Sequence, residues 1–148
     1  GANIEIHGDK IIVSKSELHG FQFDATHCPD LFPPLVALAA HCKGMSSIKG
    51  VVRLIFKESD RAKVLKEEFS KLGVQMEVFS DKMIIHGGGV IGGVVHSNND
   101  HRIAMAAATI AVKAKRPVII EDAECVAKSY PGFYNDFEKL GVVINDVE

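Results

Sequence analysis

The stretch Phe69-Ser70-Lys71-Leu72-Gly73-Val74 returns 68 residues later as Phe137-Glu138-Lys139-Leu140-Gly141-Val142. An internal repeat constrains a fold more than any single element, because one supersecondary unit used twice buries its apolar face against its neighbours. Two further pairs keep nearly the same spacing: Asp30 with Asp100, and Lys57 with Lys128. The chain has 148 residues, about one domain's worth. We read it as a single partial domain of mixed α and β structure (α+β). Repeat units of the form β-α-β-α-β-β span approximately 20–88 and 89–148, and a hairpin over 1–19 precedes them.

Alternation of apolar residues supplies the elements. Ile4 and Ile6, then Ile11 and Val13, flank Gly8-Asp9-Lys10 and predict a β-hairpin. Phe21 to Ala25 predicts a strand, and Leu31 to Cys42 a buried helix with Pro33 and Pro34 in its first turn. Ile48 to Phe56 predicts a buried strand. Ser59 is the expected cap of a helix whose Val64, Leu65, Phe69 and Leu72 keep the helical period up to Gly73. Val74 to Phe79 and Lys82 to His86 predict a second hairpin, followed by the glycine run at 87–89. The second half predicts a strand over Val94 to Ser97, a helix over Arg102 to Lys115, and a strand over Pro117 to Asp122. A helix over Tyr130 to Leu140 and a last strand over Val142 to Asn145 complete it.

Composition narrows the partners. Seventeen basic and nineteen acidic residues give a net charge of −2, so no basic excess points to nucleic acid or a membrane surface. The longest apolar run, Ile103 to Val112, is short of the ~20 residues that cross a bilayer. No charged leader with an apolar stretch opens the chain, and a start at Gly1 reads as a portion of something longer. Cys28, Cys42 and Cys125 form no CxxC pair and suit reduced thiols in the cytoplasm. His, Asp and Glu show no metal-ligand spacing, and the glycine runs lack the GxxxxGK[ST] phosphate-loop pattern.

The chemically distinctive residues cluster at four strand-to-helix junctions: Cys28 to Asp30, Lys57 to Arg61, Asn98 to Arg102, and Ala127 to Pro131. Ligands favour such junctions, where helix N-termini present free N–H groups. Arg61 and Arg102 fall in the first turns of predicted helices, where the macrodipole disfavours a cation by about 0.3–1 kcal/mol. With Lys57 and Lys128 at matching junctions, that placement implies a bound small anion. Asp30, Glu58 and Asp100 share the junctions, and carboxylates mixed with cations suit proton transfer on a charged substrate. The plainer reading of each also stands. Asp30 and Asp100 serve as helix caps, Glu58 and Arg61 as a surface pair three residues apart, and Lys57, Lys128, His96 and His101 as solvated or satisfied polar groups.

Lys57-Glu58-Ser59-Asp60-Arg61, Asn99-Asp100-His101-Arg102-Ile103-Ala104-Met105 and Cys125-Val126-Ala127-Lys128-Ser129-Tyr130-Pro131 resemble, in order, motifs of the EPSP synthase family of enolpyruvyl transferases. Asp30 in Cys28-Pro29-Asp30 fits the same pattern, and the resemblance covers essentially the whole chain. It implies the C-terminal third of a two-lobed enzyme, each lobe built from three β-α-β-α-β-β units. The family moves the enolpyruvyl group of phosphoenolpyruvate to the 5-hydroxyl of shikimate 3-phosphate, releasing phosphate. This is a step of aromatic amino-acid biosynthesis and the target of glyphosate, and it needs no metal or organic cofactor.

By position, Asp30 resembles the proton acceptor at the shikimate hydroxyls, and Glu58 the acid that handles the methylene proton. Lys57 resembles the lysine at the shikimate substrate, and Lys128 the one near the phosphoenolpyruvate phosphate. Arg61 and Arg102 resemble the pair that grips the phosphoenolpyruvate carboxylate, while Asp100 and His101 line the site. Arg53 departs from the smaller polar residue common in relatives. Half a cleft encloses no transition state, so the resemblance also implies that these residues alone are inactive without the N-terminal portion. Two other readings compete: a sibling transferase acting on a UDP-sugar, and a non-catalytic α+β interaction module. In the last, the side where a further unit would pack should be polar; an apolar side there would make the chain self-associate.

Overall fold

The computed structural model describes residues 1–55 and 57–146. Among the described residues, eight strands and four α-helices follow one another as β1 (Asn3–His7), β2 (Lys10–Ser14), β3 (Gln22–Asp24), α1 (Phe32–Ala40), β4 (Met45–Lys49), α2 (Arg61–Lys71), β5 (Gln75–Val78), β6 (Lys82–His86), β7 (Gly93–His96), α3 (His101–Ala111), β8 (Val118–Glu121) and α4 (Phe133–Lys139). Short 3₁₀ turns stand at Pro29–Leu31, Val51–Leu54 and Ala123–Lys128. The mixed α and β content agrees with the fold class expected from the sequence.

Three sheets form. β1 and β2 make an isolated antiparallel hairpin, β3-β4-β6-β5 a four-stranded sheet, and β7-β8 a parallel pair. In the four-stranded sheet β3 runs parallel to β4, while β6 lies antiparallel to both β4 and β5. Ile48, Met83 and Ile85 of this sheet share one buried apolar cluster with Phe32 and Val36 of α1 and Leu65 and Phe69 of α2. α1 also packs along α3, whose Ile103, Ala106, Ala107 and Ile110 are buried. The alanines let the two helix backbones approach closely, so the apolar core runs continuously under the large sheet and the β7-β8 pair.

Several boundaries differ from the sequence expectation. The strand expected over Ile48 to Phe56 ends at Lys49, because Gly50 turns into the left-handed region (φ 104°) and its Cα lies against Thr26. Val51 and Leu54 then reach the core from a 3₁₀ turn, three residues apart rather than two. Phe56, the last residue of that expected strand, lies outside the described residues. The helix expected over Tyr130 to Leu140 begins at Phe133, after Pro131 and Gly132. Val142 to Asn145 forms no strand: it pairs with none, and Val143 is 83% exposed.

Candidate active site

The site is the meeting of the N-termini of α2 and α3 with the 3₁₀ turn before α1. Asp60 caps α2 by accepting the Lys63 N–H, the place expected for Ser59. Asp100 caps α3, accepting the Arg102 N–H at 3.0 Å. Arg61 is the first residue of α2, and its side chain crosses to α3, where Nε donates to Asp100 Oδ2 at 2.7 Å. Neither side chain is exposed at all.

The rest of the Arg61 guanidinium is taken up as well. Nη1 donates to Asp30 Oδ1 at 2.8 Å, and Nη2 to Glu58 and to Asp100 Oδ1. Ser59 contributes its hydroxyl to Asp100 Oδ2 at 3.0 Å. Three carboxylates from three junctions therefore converge on one buried cation, and the planar five-donor fork of arginine is what allows it. This corrects two expectations. The cost of a cation in the first turn of α2 is offset by the chain's own carboxylates, so it does not call for an external anion. Glu58 and Arg61 also do not form a surface pair, because the arginine is fully buried.

Asp30 turns outward from this knot. Its Oδ1 also stands 3.4 Å from Lys57 Nζ, and its Oδ2 lies 3.1 Å from Arg102 Nη2. Its side chain is 46% exposed, with Lys57 and Arg102 about a third open beside it. Three cations thus share one accessible carboxylate. Burial resists ionisation of Asp30, but the Arg61 hydrogen bond and the charges of Arg102 and Lys57 outweigh it and hold the carboxyl below the ordinary range. Asp100 behaves alike. Burial opposes its charge, and the Arg61 bond and charge, the Arg102 N–H and the Ser59 hydroxyl overcome that. For Arg61, burial works against the cation and the same carboxylates keep it protonated.

Lys128 sits further round. Its Nζ donates to the Asn99 carbonyl at 2.6 Å and to Asn99 Oδ1, tying the 3₁₀ turn after β8 to the loop before α3. That loop places Asn98 and Asn99 successively in the left-handed region, and Asn99 N–H is held by Asp122 Oδ2 at 2.8 Å. His101 is buried, and its Nδ1 has no hydrogen-bond partner among the described residues. Arg53 is exposed on the Val51–Leu54 turn. Asp30, Lys57, Glu58, Arg61, Asp100 and Arg102 therefore come together in one cluster, with Lys128 joined to it through Asn99. Among the described residues, no group of three or more His, Cys, Asp or Glu side chains is arranged to hold a metal ion.

A family model described as EPSP synthase (3-phosphoshikimate 1-carboxyvinyltransferase) matches residues 1–137. The chain belongs to the EPSP synthase family. The 3-phosphoshikimate 1-carboxyvinyltransferase of Clostridium novyi (strain NT) is 46% identical over 147 residues, which cover 99% of this chain and 34% of that protein. The relative of the same name from Aeropyrum pernix is 40% identical over 149 residues, 100% of this chain and 35% of its own length. Among solved structures, an EPSP synthase from Acinetobacter baumannii aligns over the whole chain and 37% of its own length, with a TM-score of 0.80 and 27% identity. The enolpyruvyl transferase NikO from Streptomyces tendae shares the fold with a TM-score of 0.76 at 19% identity, over 98% of this chain and 34% of its own. The chain spans about a third of the length of the curated EPSP synthase relatives it matches.

Within this EPSP synthase family chain, Ser59, Asp60 and Asn99 stand in the junctions that the sequence marks, but the sequence assigns none of their side chains a part in the site. Asp60 directly precedes the first helical residue and was as good a cap signal as Ser59. Nothing in the sequence marked the Ser59 hydroxyl as a donor to Asp100, 41 residues away, or Asn99 as the receiver of Lys128.

Proposed function

We propose that the chain supplies one wall of an active site that transfers the enolpyruvyl group of phosphoenolpyruvate to the 5-hydroxyl of shikimate 3-phosphate. One observation carries the reading. Asp30 is an accessible carboxylate touched at once by Lys57, Arg61 and Arg102, which come from separate elements. Cations gathered on an exposed carboxylate can exchange it for the carboxylate or phosphate of an anionic substrate. Membership of the EPSP synthase family supports this choice of substrates.

In this reading Lys57 and Arg102 turn from Asp30 to the incoming anions, which restores basicity to Asp30. Asp30 then accepts the proton of the attacking hydroxyl, and Glu58, 43% exposed beside it, handles the proton at the methylene carbon. Lys128 stands by the phosphate that leaves. Arg61 already has its donors on Asp30, Glu58 and Asp100 and is shut from solvent. Its work here is to hold those carboxylates, and contact with a substrate requires one of them to be displaced. His101 lines the base of the site. No cofactor enters the reaction, and a cytoplasmic setting goes with it.

The wall alone leaves Lys57, Arg102 and Lys128 facing water, so the 148 residues by themselves are expected to turn over no substrate. The test is a graft in place of the matching third of the Clostridium novyi relative, assayed by phosphate release. Transfer to shikimate 3-phosphate, lost on Glu58→Gln, is the expected result. A folded graft that is inactive, or that uses a UDP-sugar acceptor instead, overturns the reading.

A further inference from the structure

We propose that Asp122 is a positioning residue for Lys128: its carboxylate holds Asn99, and Asn99 holds the ammonium that, in the function proposed above, meets the phosphate of phosphoenolpyruvate. One short turn grips Asn99 from both ends. At its start, Asp122 Oδ2 accepts the Asn99 N–H at 2.8 Å. At its end, Lys128 Nζ donates to the Asn99 carbonyl at 2.6 Å and to Asn99 Oδ1. Between them, Cys125 and Val126 are buried in one cluster with Ala104 of α3, which fixes the turn to that helix. Ser97, just past β7 and fully buried, completes the arrangement. Its hydroxyl donates to Asp122 Oδ2 at 2.8 Å and accepts the Asn99 N–H at 3.1 Å.

The backbone here does not adopt its shape unaided. Among the described residues, the non-glycine residues at positive φ are Asn98, Asn99 and Asp122, at 54°, 58° and 56°. Backbone of this kind persists only where the surroundings over-determine it. A bond from an N–H to a carboxylate is stronger than one to a neutral oxygen, and Asp122 places one on Asn99.

The first half of the chain shows that the turn does not require this carboxylate. The bond from Ser97 N–H to the Glu121 carbonyl has a counterpart 72 residues earlier, from Ala25 N–H to the Lys49 carbonyl. In that register Asp122 falls on Gly50, and both residues open a 3₁₀ turn from the left-handed region. Glycine takes that conformation freely and an aspartate is strained in it, so the side chain at 122 has a use beyond the turn. The matching lysines differ accordingly. Lys57 rests 3.4 Å from the carboxylate of Asp30, whereas the Lys128 ammonium is held by two neutral oxygens. Lys128 thus keeps its charge uncompensated by these partners, and one of its three N–H donors is left for a phosphate oxygen. An ammonium held in place beforehand needs no reorganisation when charge develops on the leaving phosphate.

The experiment compares Asp122→Gly, which keeps the left-handed backbone as Gly50 does, with Asp122→Asn, which keeps an acceptor oxygen. In the 148-residue chain, NMR should show faster amide exchange at Asn99 in Asp122→Gly. The two ε-methylene protons of Lys128, inequivalent while the ammonium is held, should merge, and Asp122→Asn should restore both signals. In the graft into the Clostridium novyi relative, Asp122→Gly should lower kcat/KM for phosphoenolpyruvate several-fold and leave KM for shikimate 3-phosphate unchanged. It should add little to the loss caused by Lys128→Ala, because the two residues act through one contact. A merely structural part would raise both KM values and add in full to Lys128→Ala. That result, or unchanged Asn99 and Lys128 signals in Asp122→Gly, overturns the proposal. The NMR measurement needs no substrate, so the two readings fail separately. An unsubstituted graft without transfer activity overturns the enolpyruvyl reading, while the Asn99 and Lys128 signals still decide the role of Asp122.

Discussion

Arg61 Nε and Asp100 Oδ2 meet at 2.7 Å with both side chains closed to solvent, and this pair joins the N-terminus of α2 to that of α3. Removing either member strands a buried charge. Asp100→Ala should therefore cost about 3–5 kcal/mol, and Arg61→Met a similar amount because it leaves Asp100, Asp30 and Glu58 crowded together. The double variant should lose less than the sum, since neither charge is then left alone. Urea denaturation of the four proteins closes the cycle, and strict additivity would refute the coupling.

The same carboxylates fix the acid side of the stability profile. Asp30 and Asp100 are both held below their ordinary range, against burial, by Arg61 and its neighbours. Unfolded aspartates titrate near pH ~4, so the unfolded chain binds protons first as the pH falls. Their contribution is thus full above that pH and is lost as the pH drops through the lower folded values. The urea midpoint should fall steeply below about pH 4, and less steeply in the double variant at Arg61 and Asp100. Equal slopes would remove these groups from the account.

How far the sequence foretold this arrangement depends on range. The hairpin of β5 and β6 was legible because alternation and a Ser80-Asp81 turn are local signals. The strand expected to run on to Phe56 was not, because Val51 and Val52 look like strand residues. Only the backbone turn at Gly50 shows that they leave the sheet. The junction residues were found together, since each lies before a helix. That Arg61 spends its donors on Asp30, Glu58 and Asp100 was invisible, because it depends on two helix N-termini 39 residues apart meeting in space.

Asp30 stands in the structure where a substrate anion would stand in the proposed function, so its removal should help binding while harming chemistry. In Asp30→Asn, Lys57 and Arg102 lose an internal competitor at 3.4 and 3.1 Å. Phosphoenolpyruvate should then bind the 148-residue chain several-fold more tightly, as read by calorimetry or by shifts of the Arg102 side-chain resonances. The same change in the grafted enzyme should abolish transfer, because the amide accepts no proton. Weaker binding in Asp30→Asn would mean that the carboxylate organises the cations for the anion rather than competing with it.

Gly87 follows β6 at a point where the strand passes the C-terminal end of α1. A Cβ there would lie 2.0 Å from the Cys42 carbonyl oxygen and 2.8 Å from that of Ala39. Both are backbone atoms of the turn that ends α1, so no side-chain rotation relieves the clash. Gly87→Ala should force the sheet away from the helix and cost about 2 kcal/mol or more, in the range of overpacked cores. Gly132→Ala is the matched control. Its Cβ would come no closer than 3.7 Å to any neighbour, an ordinary contact, at a backbone φ of −87° open to any residue. The control should stay within about 0.5 kcal/mol of the parent. Thermal and urea melts of the two variants decide the matter: similar stabilities would show that β6 and α1 can part at this point without loss.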